Sequence, residues 1–273
     1  MEKEQKAIER LKEAANMSLS CYEKPLIITY SGGKDSEVLL ELAKRSGIKF
    51  EVNHSHTTAD APQTVYHIRK VFKDLEKQGI KCSINYPKMS MWQLIIHKCF
   101  PPTRLIRYCC TELKENNCKH RMIATGVRWS ESVKRRTRGI YEDTHSNKEK
   151  KIVLMNDNDE KRRLFERCQI QAKTICNPII DFTDSEIWDF YNNECQYHNP
   201  LYDLGFTRCD YIGCPMANKK RNWEFEIFPK YKQLYIMTFE KMLEARKAKG
   251  LEIKENWKTG NDDFDWWLQN DRR

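Results

Sequence analysis

The sequence predicts an α/β fold: a doubly wound, mostly parallel sheet followed by a C-terminal cysteine-containing loop and helical region. Three observations predict it. Short apolar runs alternate with amphipathic stretches of helix length through the first half of the chain. The first run, Leu26-Ile27-Ile28-Thr29-Tyr30, stops at a glycine pair, as a buried strand does before a tight turn. The 273 residues suffice for one large α/β domain, or a domain with a small appended lobe.

Each element has its own signal. Residues 2–18 read as an amphipathic helix, with Ile8, Leu11, Ala14 and Ala15 at helical spacing. Residues 26–30 form the first strand. Residues 36–46 carry Val38, Leu39, Leu40, Leu42 and Ala43, a helix that packs on a sheet. A strand over 49–54, a helix over 62–78 and a strand over 81–86 follow. Residues 122–127, Met-Ile-Ala-Thr-Gly-Val, form another strand ending in a loop. The polar segment 143–160 reads as an excursion from the sheet, with Ile152-Val153-Leu154-Met155 as a short strand inside it. Thr183-Asp184-Ser185-Glu186 is a capping-box pattern, and a helix is expected through about Tyr191. Residues 199–218 are loop-rich. A long helical pattern runs from 230 to 249 and stops at Gly250. Phe264-Asp265-Trp266-Trp267-Leu268 is too aromatic for a loose tail and is expected to dock on the body. The organisation expected is a nucleotide-binding α/β domain with its N-terminal helix over 1–195, and a cysteine-loop and helical region over 196–273 packed on it.

Composition narrows the setting. Hydrophobic residues are 40% and charged residues 32%, which suits a soluble chain with a core. No stretch approaches the roughly 20 apolar residues of a membrane helix, and the charged start Met1-Glu2-Lys3-Glu4-Gln5-Lys6 lacks a secretory apolar segment. A cytoplasmic protein without a membrane partner is expected. The net charge of +9 suits a nucleic-acid partner or simply a nucleotide site. Lys134, Arg135, Arg136, Arg138, Lys148, Lys150 and Lys151 concentrate part of it, and a solvated face is the commoner reading of such runs. Eleven cysteines, an odd number, argue against a disulfide framework and for reduced thiols and metal ligation. Cys21, Cys82, Cys99, Cys118, Cys168, Cys176 and Cys195 are isolated and read as small core or surface residues.

The loop Ser31-Gly32-Gly33-Lys34-Asp35-Ser36 lies between a strand and a helix, which is a phosphate-binding arrangement. Glycines let the backbone approach an anion and aim amide hydrogens at it. The helix N-terminus adds partial positive charge. Lys34 adds a full charge, and Ser31 and Ser36 add hydroxyls. It is not the Walker loop, whose glycines are spaced differently.

The loop is similar to that of the adenine nucleotide α-hydrolase-like (PP-loop, Rossmann-like) superfamily. Within it the chain resembles the phosphoadenosine phosphosulfate (PAPS) reductase family, including its phage-type and DNA-phosphorothioation-related branch. The resemblance covers most of residues 25–218. It rests on Ser31 to Ser36, His56-Thr57-Thr58-Ala59-Asp60-Ala61-Pro62, Cys109-Cys110, Gly126-Val127-Arg128-Trp129-Ser130-Glu131-Ser132, residues 177–184 (Asn-Pro-Ile-Ile-Asp-Phe-Thr-Asp) and Asn199-Pro200-Leu201-Tyr202-Asp203. It implies that the amides of Ser31, Gly32, Gly33, Lys34, Asp35 and Ser36 hold phosphates, with Thr57 and Thr58 beside the nucleotide. It implies that Gly126, Val127 and Arg128 line the far side, with Lys34 and Arg128 as the catalytic cations. Strand carboxyl ends are where such sheets bind ligands.

Cys109-Cys110 and, about a hundred residues on, Cys209 and Cys214 supply thiolates from two segments. A four-iron, four-sulfur (4Fe-4S) cluster or a zinc ion uses such sets, and the resemblance favours iron–sulfur. Relatives carry Cys-x-x-Cys-Pro in the second segment. Here Gly213-Cys214-Pro215 fits, but Tyr211 stands three before Cys214 and the nearest cysteine is Cys209. Sulfonucleotide reductases use a nucleophilic cysteine in a C-terminal tail, and no cysteine follows Cys214 in this sequence.

Three functions follow. The first is an enzyme acting at the α-phosphate of ATP or a close analogue, in adenylation or sulfur transfer, with magnesium (Mg2+) assisting. The second is an adenylyl sulfate or PAPS reductase with a nucleophile such as Cys209 or a partner thiol. The third is a non-catalytic nucleotide- or nucleic-acid-binding module. Partners expected are ATP, AMP or adenylyl sulfate/PAPS, a nucleic acid, and a thiol reductant or sulfur-donor protein. His54 and His56 are strand-end residues with either a nucleotide contact or a plain hydrogen-bonding role. Asp60 and Glu131 are weaker metal candidates, and Trp188 reads as core.

Overall fold

The computed structural model describes residues 2–115, 117–144, 152–154, 173–217 and 220–270. Lys148, Lys150, Lys151, Met155 and Cys168 lie outside them, as does most of the polar segment 143–160. The chain forms two compact units. The first comprises residues up to His54, Gln63–Asn85 and Asn117–Cys209. The second comprises Ser55–Pro62, Tyr86–Asn116 and the chain from Asp210 onward. The boundary expected at 195/196 thus falls inside the first unit, and two earlier segments join the C-terminal one.

The first unit holds a seven-stranded sheet. Its strands are β1 (Leu26–Thr29), β2 (Phe50–Ser55), β3 (Cys82–Asn85), β4 (Met122–Ala124), β5 (Tyr141–Thr144), β6 (Ile152–Leu154) and β7 (Lys173–Cys176), in the order β3-β2-β1-β4-β7-β5-β6. β1 runs parallel to β2 and to β4, and β4 parallel to β7, with Ile27 opposite Ile123 and Ile123 opposite Ile175. β5 is antiparallel to both β7 and β6. The architecture is therefore α/β with a mostly parallel sheet. Residues 141–144 and 152–154 rejoin that sheet as its antiparallel edge, so the expected excursion is corrected there. The strand expected within 152–155 is β6, whereas the polarity of residues 141–144 hid β5, because a ladder is made by backbone groups and an antiparallel edge tolerates polar side chains. Buried Glu142 is served by the Arg138 guanidinium at 2.5 Å and the Gly139 amide at 3.1 Å.

The helices are α1 (Glu2–Tyr22), α2 (Lys34–Arg45), α3 (Pro62–Lys77), α4 (Met91–Lys98), α5 (Asp184–Glu194), α6 (Lys220–Ile227), α7 (Pro229–Ala248) and α8 (Gly260–Asn270). α1, α2, α3 from Gln63 and α5 belong to the first unit. Period-two alternation sends Leu26 and Ile28 to one side of β1 and Ile27 to the other. Leu26 and Ile28 join one large core with Leu11 of α1, Leu39 of α2, Ile68 and Phe72 of α3 and Ile187 of α5. Ile27, Ile123 and Ile175 form a smaller cluster with Cys118.

α5 begins as its sequence predicts. The Thr183 hydroxyl accepts from the Glu186 amide at 3.3 Å, and the Glu186 carboxylate accepts from the Thr183 amide at 2.7 Å. Lys3 of α1 pairs with the same carboxylate at 2.8 Å. In the second unit α7 buries Tyr235, Phe239, Met242 and Leu243, and α8 packs Phe264 and Trp267 against it. The aromatic end is thus a helix. Among the described residues no helix is long and apolar enough to cross a membrane.

Two stability predictions follow from this start of α5. Thr183→Ala removes a hydroxyl cap and should cost about 1 kcal/mol in a urea titration. The hydrogen bond from Lys3, then that from the Thr183 amide, hold Glu186 at about 2 against its ordinary 4.5. Its contribution is therefore complete above pH 4.5 and is lost as pH falls toward 2. Glu186→Gln should flatten that acid limb, and an unchanged limb would place the acid sensitivity elsewhere.

Candidate functional site

The strand order reverses between β1, which feeds β2 on one side, and β4 on the other. Such a switch point opens a crevice at the carboxyl ends of the strands. The segment Ser31–Ser36 leaves β1 there, and Gly126–Arg128 leaves β4 there.

Sequence dictates the loop's path. Gly32 has φ +75°, and a Cβ on it would lie 3.0 Å from Ile68 Cγ1. Only glycine takes that conformation in that space without strain. Gly33 caps α2 in an extended conformation with no side chain to offer. Ser36 Oγ donates to the Gly33 carbonyl at 2.7 Å and accepts from the Ser31 amide at 3.2 Å. The two serines therefore brace the loop internally. Asn199, 1% exposed, donates to the Gly32 carbonyl at 2.7 Å and to Thr64 Oγ1 at 3.1 Å. The Tyr202 hydroxyl accepts from the Lys34 amide at 2.8 Å. Behind the loop Tyr30 donates to Glu37, and His67 Nε2 lies 2.5 Å from Glu37 Oε1, all three buried.

Charge at the loop is arranged in pairs. Lys34 Nζ lies 3.1 Å from Asp35 Oδ2 and 5.3 Å from the centre of the Trp188 ring. Arg128, 1% exposed, reaches Asp35 at 2.6 Å and Asp184 at 2.7 Å. Gly126 lets β4's end close on α2, since a Cβ there would lie 3.1 Å from the Asp35 carbonyl. Asn177 receives the Thr125 hydroxyl and donates to the Gly139 carbonyl at 2.8 Å. The structure thus brings Ser31–Ser36 together with Gly126 and Arg128. Sequence reasoning missed Asn199 and Tyr202 as the loop's supports, and their run Asn-Pro-Leu-Tyr was the available signal.

Thr57 and Thr58 belong to the second unit. Thr57 gives its amide and hydroxyl to the two oxygens of Asp60, at 2.8 and 2.7 Å. Thr58, at φ +66°, accepts from the Met91 amide at 2.8 Å. His56 Nδ1 lies 3.1 Å from Asp60 Oδ2. In the first unit His54 Nδ1 lies 2.9 Å from the Tyr30 carbonyl. Glu131 is spent on Arg135 and on the Arg128 amide at 3.0 Å. Trp188 is half-buried, edge-on to Tyr191 and Tyr202. Of the described basic run, Arg135 and Arg138 are paired with Glu131 and Glu142.

Three of the expected metal-ligating thiols, Cys109, Cys110 and Cys214, lie in the second unit, and Cys209 closes the first. Cys109 and Cys214 are buried, and Cys110 is half-buried. Cys110 receives a guanidinium hydrogen bond from Arg107 at 3.2 Å. A hydrogen bond from Cys109, and after it Arg107, lower the Cys110 pKa. Burial pushes the Cys214 thiol up to about 12. The thiolate is thus favoured at Cys110, whereas burial opposes it at Cys214. The Cys209 β-carbon lies 3.5 Å from where a Cβ on Gly33 would be, at the glycine loop. Cys82, Cys99, Cys118, Cys176 and Cys195 are outside any disulfide.

Cys214 depends on the glycine before it. Gly213 has φ +76°, and a Cβ there would meet Phe225 at 2.8 Å, Tyr235 at 3.0 Å and Trp267 at 3.1 Å. Gly213→Ala should destabilise the protein by about 2 to 4 kcal/mol through left-handed strain and overpacking. An unchanged denaturation midpoint would show that the aromatic wall yields.

Comparison with known proteins bears on this site. The phosphoadenosine phosphosulfate reductase domain matches residues 25–220. The chain is 28% identical over 228 residues to the uncharacterized protein MJ0973 of Methanocaldococcus jannaschii, covering 83% of this chain and 49% of that protein. It is 25% identical over 204 residues to the uncharacterized protein MJ0066 of the same organism, covering 71% of this chain and 36% of that protein. The chain thus spans half or less of the length of these relatives. A crystal structure of phosphoadenylyl-sulfate (PAPS) reductase from Candida auris, a phosphate complex, is similar at a TM-score of 0.47 and 16% identity, over 75% of this chain and 87% of that one. With the domain match spanning the loop, the β4 exit and the thiol segments, the chain belongs to the phosphoadenosine phosphosulfate reductase family.

Proposed function

We propose that the protein binds ATP or a related adenine sulfonucleotide through Ser31–Ser36 and acts at the α-phosphate, in adenylation or sulfur transfer. The observation that carries this reading is the loop itself. A glycine pair with Gly32 in the left-handed region leads straight into the N-terminus of α2, at the switch point of a parallel sheet. Helix N-termini at such points attract phosphate. Lys34 is the cation that meets it: an incoming phosphate competes with Asp35 for the ammonium. Arg128 is tied to Asp35 and Asp184, so we assign it to positioning the first turn of α2 and stabilising charge from behind. Magnesium would supply further positive charge to the phosphates.

The three thiols of the second unit support an iron–sulfur centre as the accompanying cofactor. Cys109, Cys110 and Cys214 would hold it, and the cluster would supply electron transfer or electrostatic tuning. A second reading is favoured by Cys209, whose β-carbon stands at Gly33. In a sulfonucleotide reductase its thiolate would attack the sulfonyl sulfur, forming an S–S bond as the S–O bond breaks and AMP leaves. A second thiol would then release sulfite and leave a disulfide.

Calorimetry with ATP should show binding that Lys34→Ala weakens by about tenfold or more, equivalent to about 1.4 kcal/mol or more. Unchanged affinity in that variant would remove Lys34 from the site. Pyrophosphate release from ATP supports the first reading. Sulfite release from adenylyl sulfate, abolished in Cys209→Ser, supports the second. Binding without either product leaves a nucleotide-binding module.

A further inference from the structure

Cys214 closes a four-residue turn. Its amide donates to the Tyr211 carbonyl at 3.1 Å, and Gly213 at the third position supplies the positive φ that the turn requires. Such a turn brings the side chains of its first and fourth residues close together. The first residue is Tyr211, and it is 2% exposed. Its hydroxyl donates to Cys109 Sγ at 3.1 Å, and its ring lies 5.4 Å from the Lys114 ammonium. The position beside Cys109 is therefore filled by a phenol that the turn fixes in place. The Ile212 amide anchors the turn to the Ala59 carbonyl at 2.9 Å, and Tyr235 donates to the Ile212 carbonyl at 2.9 Å.

Cys209 has different surroundings. Its β-carbon is in van der Waals range of the Gly33 position, and that position is also 3.4 Å from the Tyr202 hydroxyl. The same hydroxyl caps the first amide of α2. The structure thus commits the Cys209 side chain to the nucleotide loop and the Tyr211 side chain to the thiol site.

We infer that an iron–sulfur cluster in this protein is held by three cysteines, Cys109, Cys110 and Cys214, that Tyr211 occupies the fourth corner as a hydrogen-bond donor to Cys109, and that Cys209 is not a ligand. The inference rests on the iron–sulfur reading given above. It has a chemical consequence. One iron of a four-iron cluster lacks a cysteine, so it is the iron released first on mild oxidation, leaving a three-iron cluster. A cysteine at position 211 supplies the missing thiolate and retains that iron.

The test is anaerobic loading of the full chain with ferrous iron and sulfide. Iron and sulfide are then counted, and the cluster is followed by electron paramagnetic resonance after mild oxidation. Cys209→Ser should load as much iron as the unsubstituted protein, while Cys109→Ser and Cys214→Ser should load severalfold less. The unsubstituted protein should convert to the three-iron form, and Tyr211→Cys should not. Tyr211→Phe, which keeps the ring, should load iron and still convert, and this separates loss of the hydroxyl from loss of folding. If Cys209→Ser loses iron as Cys109→Ser does, or if Tyr211→Cys converts like the unsubstituted chain, the inference fails and the iron–sulfur reading stands. If the unsubstituted protein takes up neither iron nor sulfide, both fail.

Discussion

The hydrogen bond from the Asn199 side chain to the carbonyl of Gly32 is the contact on which the loop architecture depends. A glycine pair between a strand and a helix has many accessible conformations, and fixing one costs backbone entropy of roughly 1–2 kcal/mol per residue. Asn199 offsets that cost with a buried amide that can be satisfied only if the Gly32 carbonyl points at it. Its second hydrogen, on Thr64, ties the same amide to α3. Tyr202, three residues on, caps the first amide of α2. One short segment thus sets both the entry and the exit of the loop. Ser31 and Ser36, which invite a reading as phosphate donors, serve the loop's own geometry in this state.

Charge at the same place follows from burial. Arg128 and Lys34 are both shielded from water, and a buried cation is tolerated only when paired. Asp35 serves both, and Asp184 completes the set for Arg128. The arrangement gives the two cations different freedoms. Arg128 has two carboxylate partners and is held rigidly, whereas Lys34 has one and can exchange it for another anion. The capped start of α5 therefore matters beyond helix stability: it places Asp184 where Arg128 needs a counter-ion.

The second unit is organised by aromatic packing. Trp267 lies against Phe225, Tyr235 and Phe239, and its indole N–H donates to the Pro102 carbonyl at 2.6 Å. That wall leaves no room for a side chain at Gly213, the third residue of the turn bearing Tyr211 and Cys214. The aromatic C-terminal segment, which reads as simple packing, is what shapes the thiol site.

Most of the first unit was legible in the sequence because its signals are local. The strand ending in Gly32-Gly33, the helices with apolar stripes and the capping box at Thr183 depend on neighbours a few residues apart. β7 and β5 were not legible, nor was the place of the 152–154 strand in the sheet, since their ladders are backbone contacts between distant segments and the side chains of β5 and β7 follow no clean alternation. The phosphate-type loop was determined by residue types alone: Gly32 takes a path that only glycine allows, and a lysine two residues on is a cation wherever the loop goes. Tertiary structure alone decided how those residues are used. It paired Arg128 with Asp35 and Asp184, made Asn199 and Tyr202 the supports of the loop, and set Tyr211 beside Cys109. A sequence records which groups exist, but hydrogen bonds and ion pairs between residues a hundred positions apart are fixed only when the chain folds and buried polar groups must find partners.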